Sequence, residues 1–272
     1  MANIFMISVS GYYHWLKRTP TVRQMKRRQA VLLVRTAHEE TRRSYGVSRL
    51  QKHIQNKGGH LSTYLIRTIR TEEGIRCKQH KRYQVTTKSD HNKPVYANLL
   101  DQNFTVSCPN EVWVSDITYI WTEEGWLYLA GVKDLYSKEL LGYCLDSMMK
   151  STLCVKALKM AILRRSPSKG LLVHSDQGSQ YCSEVYRKFL GKQNFIGSMS
   201  RRGNCYDNAP IESFWGTLKN ELIYHKRYQT RQQATNDIIQ YIEIFYNRMR
   251  IQAGLKFRSP AMVWRDFYQV AA

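Results

Sequence analysis

Between His174 and Lys219 the chain sets two carboxylates on two different kinds of element, and this restricts the folds open to it. LLVHSDQGSQY is a short apolar run that carries His174, Ser175 and Asp176 into a turn at Gln177-Gly178, the pattern of a buried strand ending at a loop. NCYDNAPIESFWGTLKNEL closes the stretch: Asp207, Asn208 and Pro210 have the character of a helix start and of its cap, and Ile211, Phe214, Trp215, Leu218 and Leu222 recur at helical spacing. Glu212 falls in the first turn of that helix. Lys219 follows seven residues later, about two turns on, so both side chains project along nearly the same side. A carboxylate at a strand end, a second at a helix start and a lysine beyond it suit a metal site facing a phosphate chain.

Upstream, EVWVSDITYIW, WLYLAGVKDLYS and KELLGYCLDSMM are three β-branched and aromatic runs at hairpin spacing. Ser151 caps a helix, TLCVKALKMAILRR, which Pro167 and Gly170 stop. After LLVHSD come a helix near 183–192, a short strand at Phe195–Met199 and the Glu212 helix. Antiparallel strands followed by alternating helix and strand predict a mixed α/β sheet with helices on its faces. Asp116 falls inside the first strand, where a charge is costly unless something compensates it. If the first and fourth strands are neighbours and the Glu212 helix packs across their ends, Asp116, Asp176 and Glu212 converge. Three carboxylates repel one another unless cations are present, and such hard oxygen ligands suit Mg²⁺ or Mn²⁺. Two ions about 3.5–4 Å apart would activate water or a 3′-hydroxyl and stabilise the leaving oxygen, which is phosphodiester chemistry.

Charge names the partner. Residues 1–100 hold 20 Lys and Arg against 5 Asp and Glu, a surplus of +15 within a net charge of +21. Phosphate-rich nucleic acid is the usual partner of such a surface; an anionic membrane is the competing reading, but there is no apolar span of about 20 residues. Residues 1–20 carry SVSGYYHWLKR, either a lead-in that packs on the next helix or a direct DNA contact. A basic helix over 21–44 has Val31, Leu32, Val34 and Ala37 as its apolar side. VSRLQKHIQNKG and LSTYLIRTIRTEEG then form two short helices about a Gly58-Gly59 break, a helix-turn-helix pattern whose second helix carries Arg67 and Arg70. Residues 75–107, with Lys81, Arg82 and Lys88, lose periodicity and read as a basic linker without a compact fold, able to lie along a DNA backbone. The resulting organisation is a basic helical region at 1–74, the linker at 75–107, a catalytic core at 108–225 and a helical extension at 226–272. Six cysteines lack the spacing of a zinc site, and the N-terminus lacks a convincing leader, which fits a reduced cytoplasmic compartment.

DIT at 116–118, HSDQGSQY at 174–181 and RRGNCYDNAPIESFWGTLKNE at 201–221 resemble the transposases of bacterial insertion-sequence family 3, the product of their second reading frame (OrfB). Thirty-five residues separate Asp176 from Glu212, similar to the D,D(35)E signature shared with retroviral integrases, and Lys219 matches the family's basic residue seven positions after the glutamate. SVSGYYHWLKR, RRSYGVSRLQ and FYNRMRIQAGLKFRSPAMVW extend the resemblance over nearly the whole chain. It implies a ribonuclease-H-like α/β core, a mixed five-stranded sheet flanked by helices, preceded by an all-α helix-turn-helix-like domain. It further implies that Asp116, Asp176 and Glu212 ligate two Mg²⁺ or Mn²⁺ ions, with Asp116 bridging, that Lys219 holds the backbone, and that element ends are cut and joined to target DNA at the nucleoid. The family's upstream frame (OrfA) usually adds an end-recognising helix-turn-helix and a zipper; this chain has no sustained heptad repeat, so a partner and a homo-oligomer on DNA are expected. The other reading is a DNA-binding accessory protein without turnover, or an inactive relic. Around the centre, His174 orients Asp176, touches DNA or makes a structural hydrogen bond, Arg201 and Arg202 are candidate DNA contacts, and Trp113, Trp126, Phe214 and Trp215 are read as core in preference to base-stacking groups.

Overall fold

The computed structural model describes residues 8–78, 93–202 and 204–270; Lys81, Arg82 and Lys88 of the expected linker lie outside these. The chain divides into two compact units, Met1–Cys77 and Lys78–Ala272.

The described residues of the first unit form four helices. α1 (Val9–Leu16) is capped by the Ser8 side chain but buries none of its residues, so the expected packing of the lead-in on the next helix is not found. Its apolar side chains are mostly rings spread around two turns, too few on one face to anchor it. α2 (Val22–Glu40) starts with a capping box between Thr21 and Gln24. It buries Ala30, Val34 and Ala37, while Leu32, expected on the apolar side, is exposed. α3 (Val47–Asn56) contributes Leu50 and Ile54, and α4 (Thr63–Glu72), capped by Ser62, contributes Ile66 and Ile69. Arg27 and Arg35 of α2 pair with Glu72 and Glu73 at the end of α4.

The second unit is built on β1 (Val112–Thr122), β2 (Gly125–Asp134), β3 (Leu140–Asp146), β4 (Leu172–Ser175) and β5 (Ile196–Met199). Their order is β3-β2-β1-β4-β5, with β1–β2 and β2–β3 antiparallel and β1–β4 and β4–β5 parallel. With helices along the sheet this is the ribonuclease-H-like arrangement. α5 (Ser151–Arg165) begins one residue after its N-cap, Lys150, so Ser151 is not the capping side chain expected of it. It packs Leu153, Ala157, Leu158 and Ala161 into a core shared with Trp113, Val132, Leu141 and Val173. α6 (Glu184–Lys192) adds Tyr186 and Leu190. Residues 93–107 form no helix or strand, yet they are not a loose tether. Tyr96 fills the space beside Gly197, where a Cβ would stand 2.5 Å from the ring, and the Leu99 amide donates to Ser198 Oγ at 2.9 Å. The segment thereby covers β5, an edge strand that would otherwise present open hydrogen-bonding groups.

α7 (Ala209–Glu221) crosses toward β1, and α8 (Arg231–Gln240) continues into a π-helical turn, Tyr241–Met249, before α9 (Pro260–Val270). These last elements are fastened to the sheet. Asn247 Oδ1 accepts from the Leu140 amide and its Nδ2 donates to the Leu140 carbonyl, while Arg250 makes a bidentate pair with Glu221 at the end of α7. No helix among the described residues is long and apolar enough to cross a membrane.

Candidate active site

The β1–β4 ladder brings the first two carboxylates together. Its last parallel pair is Ser115 with Ser175, so Asp116 and Asp176 are the next residues along neighbouring strands, and both line a cavity of about 360 Å³. The Asp176 carboxylate accepts from the Gly178 amide at 3.0 Å, and a Cβ at Gly178 would lie 2.9 Å from the same oxygen. Burial, then the negative charge of Asp176, and finally that of Glu212, push the Asp116 carboxyl well above its usual range. Glu212, half-buried in the first turn of α7, is likewise raised, by burial and by Asp176. Among the described residues no three His, Cys, Asp or Glu side chains stand close enough to form a ready-made cation site. The three carboxylates nevertheless sense one another's charge, and an all-oxygen, mutually repelling set is the chemistry that divalent cations relieve.

Trp215, expected as plain core, has a second role. Its indole Nε1–H donates to Asp116 Oδ2 at 3.0 Å. The ring lies over Gly131, the β2 residue directly across from Asp116; a Cβ there would be 2.6 Å from the indole. Removing one side chain from β2 thus admits the ring that supports the carboxylate on β1. Only the presence of an N–H on the apolar face of α7 signals this in the sequence. Lys219 is buried, which lowers its ammonium pKa against a smaller upward pull from Asp116, and it lies 5.1 Å over the Tyr119 ring. Trp113 and Phe214 are core, as expected, but Trp126 is 43% exposed and lines the carboxylate cavity. It sits beside a hairpin turn, where Arg231 at the start of α8 donates to its backbone carbonyl at 3.0 Å and leaves the indole itself uncovered.

Other expected contacts serve the framework. His174 is fully buried, with Nδ1 2.9 Å from Ser198 Oγ and Nε2 3.2 Å from Ser200 Oγ, and burial lowers its pKa to about 4. It is a neutral structural group. Asp207 and Asn208 do not cap α7 with their side chains. Asp207 receives the Arg201 guanidinium at 2.8 Å together with the Asn98 and Gln102 side-chain amides, and Asn208 Nδ2 donates to the Ser115 carbonyl beside Asp116. Arg201 therefore braces the loop before α7 through an internal pair, whereas Arg202 is exposed. Gly203 lies outside the described residues. In the first unit Arg67 is exposed on α4, and Arg70 is half-buried near His38.

Residues 106–205 match the Integrase core domain family, a second family of the same description matches 212–263, and an HTH-like domain family matches 26–83. Fold and family together define a transposase of the class that uses two aspartates and a glutamate. The insertion element IS600 31 kDa protein of Shigella sonnei is 46% identical over all of both chains. Transposase InsF for insertion sequence IS3A of Escherichia coli is 36% identical over 96% of this chain and 91% of its own. The chain belongs to the insertion-sequence family 3 transposases. Among solved structures, the catalytic core domain of HTLV-2 integrase in complex with magnesium aligns with 57% of this chain and 96% of its own, at 16% identity and a TM-score of 0.45.

Proposed function

We propose that this transposase cuts DNA at the ends of its own insertion sequence and joins the freed 3′-hydroxyl to a second phosphodiester, using Asp116, Asp176 and Glu212 as ligands for two Mg²⁺ or Mn²⁺ ions. The observation that carries this is the parallel register that makes Asp116 and Asp176 neighbours; burial first, and then the charge of Asp176, raise the Asp116 carboxyl, which supports the reading. Bound ions would lower the pKa of an attacking water or hydroxyl and offset charge on the scissile phosphate. The chain's own groups do the rest. Asp116, raised by burial and by the charges of Asp176 and Glu212, would hold the ions together with those two carboxylates, and the Trp215 N–H fixes one of its oxygens. Gly178 fixes Asp176, and Lys219 takes the DNA backbone beside the reacting bond. Arg67, Arg70 and Arg202 contact DNA; Arg201 contributes by positioning its loop.

Acting on element ends and target in the cytoplasm, at the nucleoid, the chain works with further copies of itself and with the upstream-frame product. The test is cleavage and joining of labelled DNA carrying the element's ends, by the purified chain with Mg²⁺ or Mn²⁺, with and without that product. Asp176→Asn is expected to abolish both reactions while DNA affinity persists. A wild-type chain that binds these ends but remains inert in both mixtures would sink the proposal.

A further inference from the structure

Beyond the carboxylate cavity, the β1–β2 hairpin borders a second cavity of about 660 Å³, whose walls include Tyr119, Trp121, Trp126, Lys219 and Arg227. The three rings form one connected set, with Tyr119–Trp126 centroids 5.0 Å apart and Trp121–Trp126 4.9 Å apart, each edge to face. Trp121 and Trp126 are cross-strand partners beside the Glu123-Glu124 turn and remain 55% and 43% exposed. Two indoles held in register but left facing solvent contribute little to a core, and a patch of this kind marks a binding surface. The cavity's walls carry Lys219, Lys226 and Arg227 against one carboxylate, Glu123, and Lys226 is paired with Asp237. Lys219 stands over Tyr119, and Arg227 is exposed at the rim. Tyr119 and Trp126 also line the carboxylate cavity, so the two cavities share a wall.

Aromatic faces beside cations are the chemistry that takes up unpaired nucleotides, the rings stacking on bases and the cations following the backbone. A paired duplex keeps its base faces stacked on one another and has no use for such a platform. We propose that the hairpin recess is a subsite for unpaired nucleotides next to the phosphodiester held at Asp116 and Asp176, with bases stacked on Trp121 and Trp126 and backbone phosphates at Lys219 and Arg227. The proposal rests on the carboxylate reading above and adds that the DNA strand is locally unpaired when it enters the site.

The test uses the full chain without divalent ions and compares a fully paired duplex with the same duplex bearing a short unpaired tail labelled with 2-aminopurine. Wild type is expected to quench the label. Trp121→Ala should weaken binding of the tailed DNA about 5- to 150-fold and leave the paired duplex unchanged, while Trp121→Phe, which keeps a ring face, retains most of the affinity. Arg227→Ala should reduce the slope of log affinity against log salt by about 0.7 on the tail, the value for one single-strand phosphate. Equal losses on both DNAs, or no loss on either, would overturn the proposal. So would a change of oligomeric mass in Trp121→Ala without a selective loss of tailed DNA, which would assign this face to a protein contact. Because nothing is cleaved in this assay, its failure leaves the Asp176→Asn result standing, and retained cleavage in Asp176→Asn would overturn the carboxylate reading without altering the quenching.

Discussion

At the scale of single residues, the site depends on side chains that are not themselves ligands. Trp215→Phe keeps most of the ring over Gly131 but removes the N–H that steadies Asp116. Losing such an outer hydrogen bond commonly costs about 10- to 100-fold in metal affinity or activity. The expected outcome is therefore a shift of the Mg²⁺ titration of cleavage to higher concentration with the fold intact, and an unmoved titration would show that the bond is idle. His174 supplies a different signature. Its pKa is lowered to about 4, so the fold favours the neutral ring. The corresponding stability is fully present above the ordinary histidine value of about 6.5 and drains away as pH falls toward 4, amounting to on the order of 3 kcal/mol. Asp116 and Glu212, being raised, act in the opposite sense: without metal they favour the fold more as they protonate. The difference between wild type and His174→Gln isolates the histidine, and melting curves from pH 7.5 to 4 should converge toward the variant on the acid side.

At the scale of elements, the strands and helices were legible because each is locally consistent. β1 alternates β-branched and aromatic residues, and its pairing with β4 was foreseeable from Asp116 and Asp176 needing a common place. The role of 93–107 was not, since its hold on β5 consists of one ring and a few hydrogen bonds that carry no periodic pattern. Nor does sequence distinguish glycines that relax a helix from glycines that admit a neighbour. At Gly142 on β3 an added Cβ would stand 2.1 Å from the Ala157 carbonyl oxygen and 2.6 Å from the Ala161 nitrogen, both backbone atoms of α5, whereas at Gly216 on α7 it would meet nothing within 4 Å. The same substitution should therefore have opposite signs. Gly142→Ala is expected to destabilise by about 3 kcal/mol or more through overpacking, and Gly216→Ala to stabilise by about 0.5–1 kcal/mol through helix propensity. Denaturant midpoints for the two variants check both, and equal shifts would refute the packing argument.

For the molecule as a whole, a net charge of +21 concentrated in the first 100 residues predicts DNA affinity governed by counterion release. If six to ten phosphates are neutralised, affinity for any duplex should fall about 10³- to 10⁵-fold between 50 and 200 mM salt. A flat dependence would mean that this charge does not serve DNA. The sequence by itself determined the basic helical unit, the mixed α/β sheet and most of its elements, since these depend on periodicity and charge along one chain; the roles of Asp116, Asp176, Glu212 and Lys219 it offered as expectations, from their spacing and the family resemblance. Only the tertiary structure decided that Trp215 supports Asp116, that Arg201 is engaged with Asp207, that His174 is neutral and that Trp121 and Trp126 stay exposed beside the site. Those outcomes depend on which side chains from distant segments meet, and whether a polar group ends up buried or a ring covered is settled by packing, which local pattern does not encode.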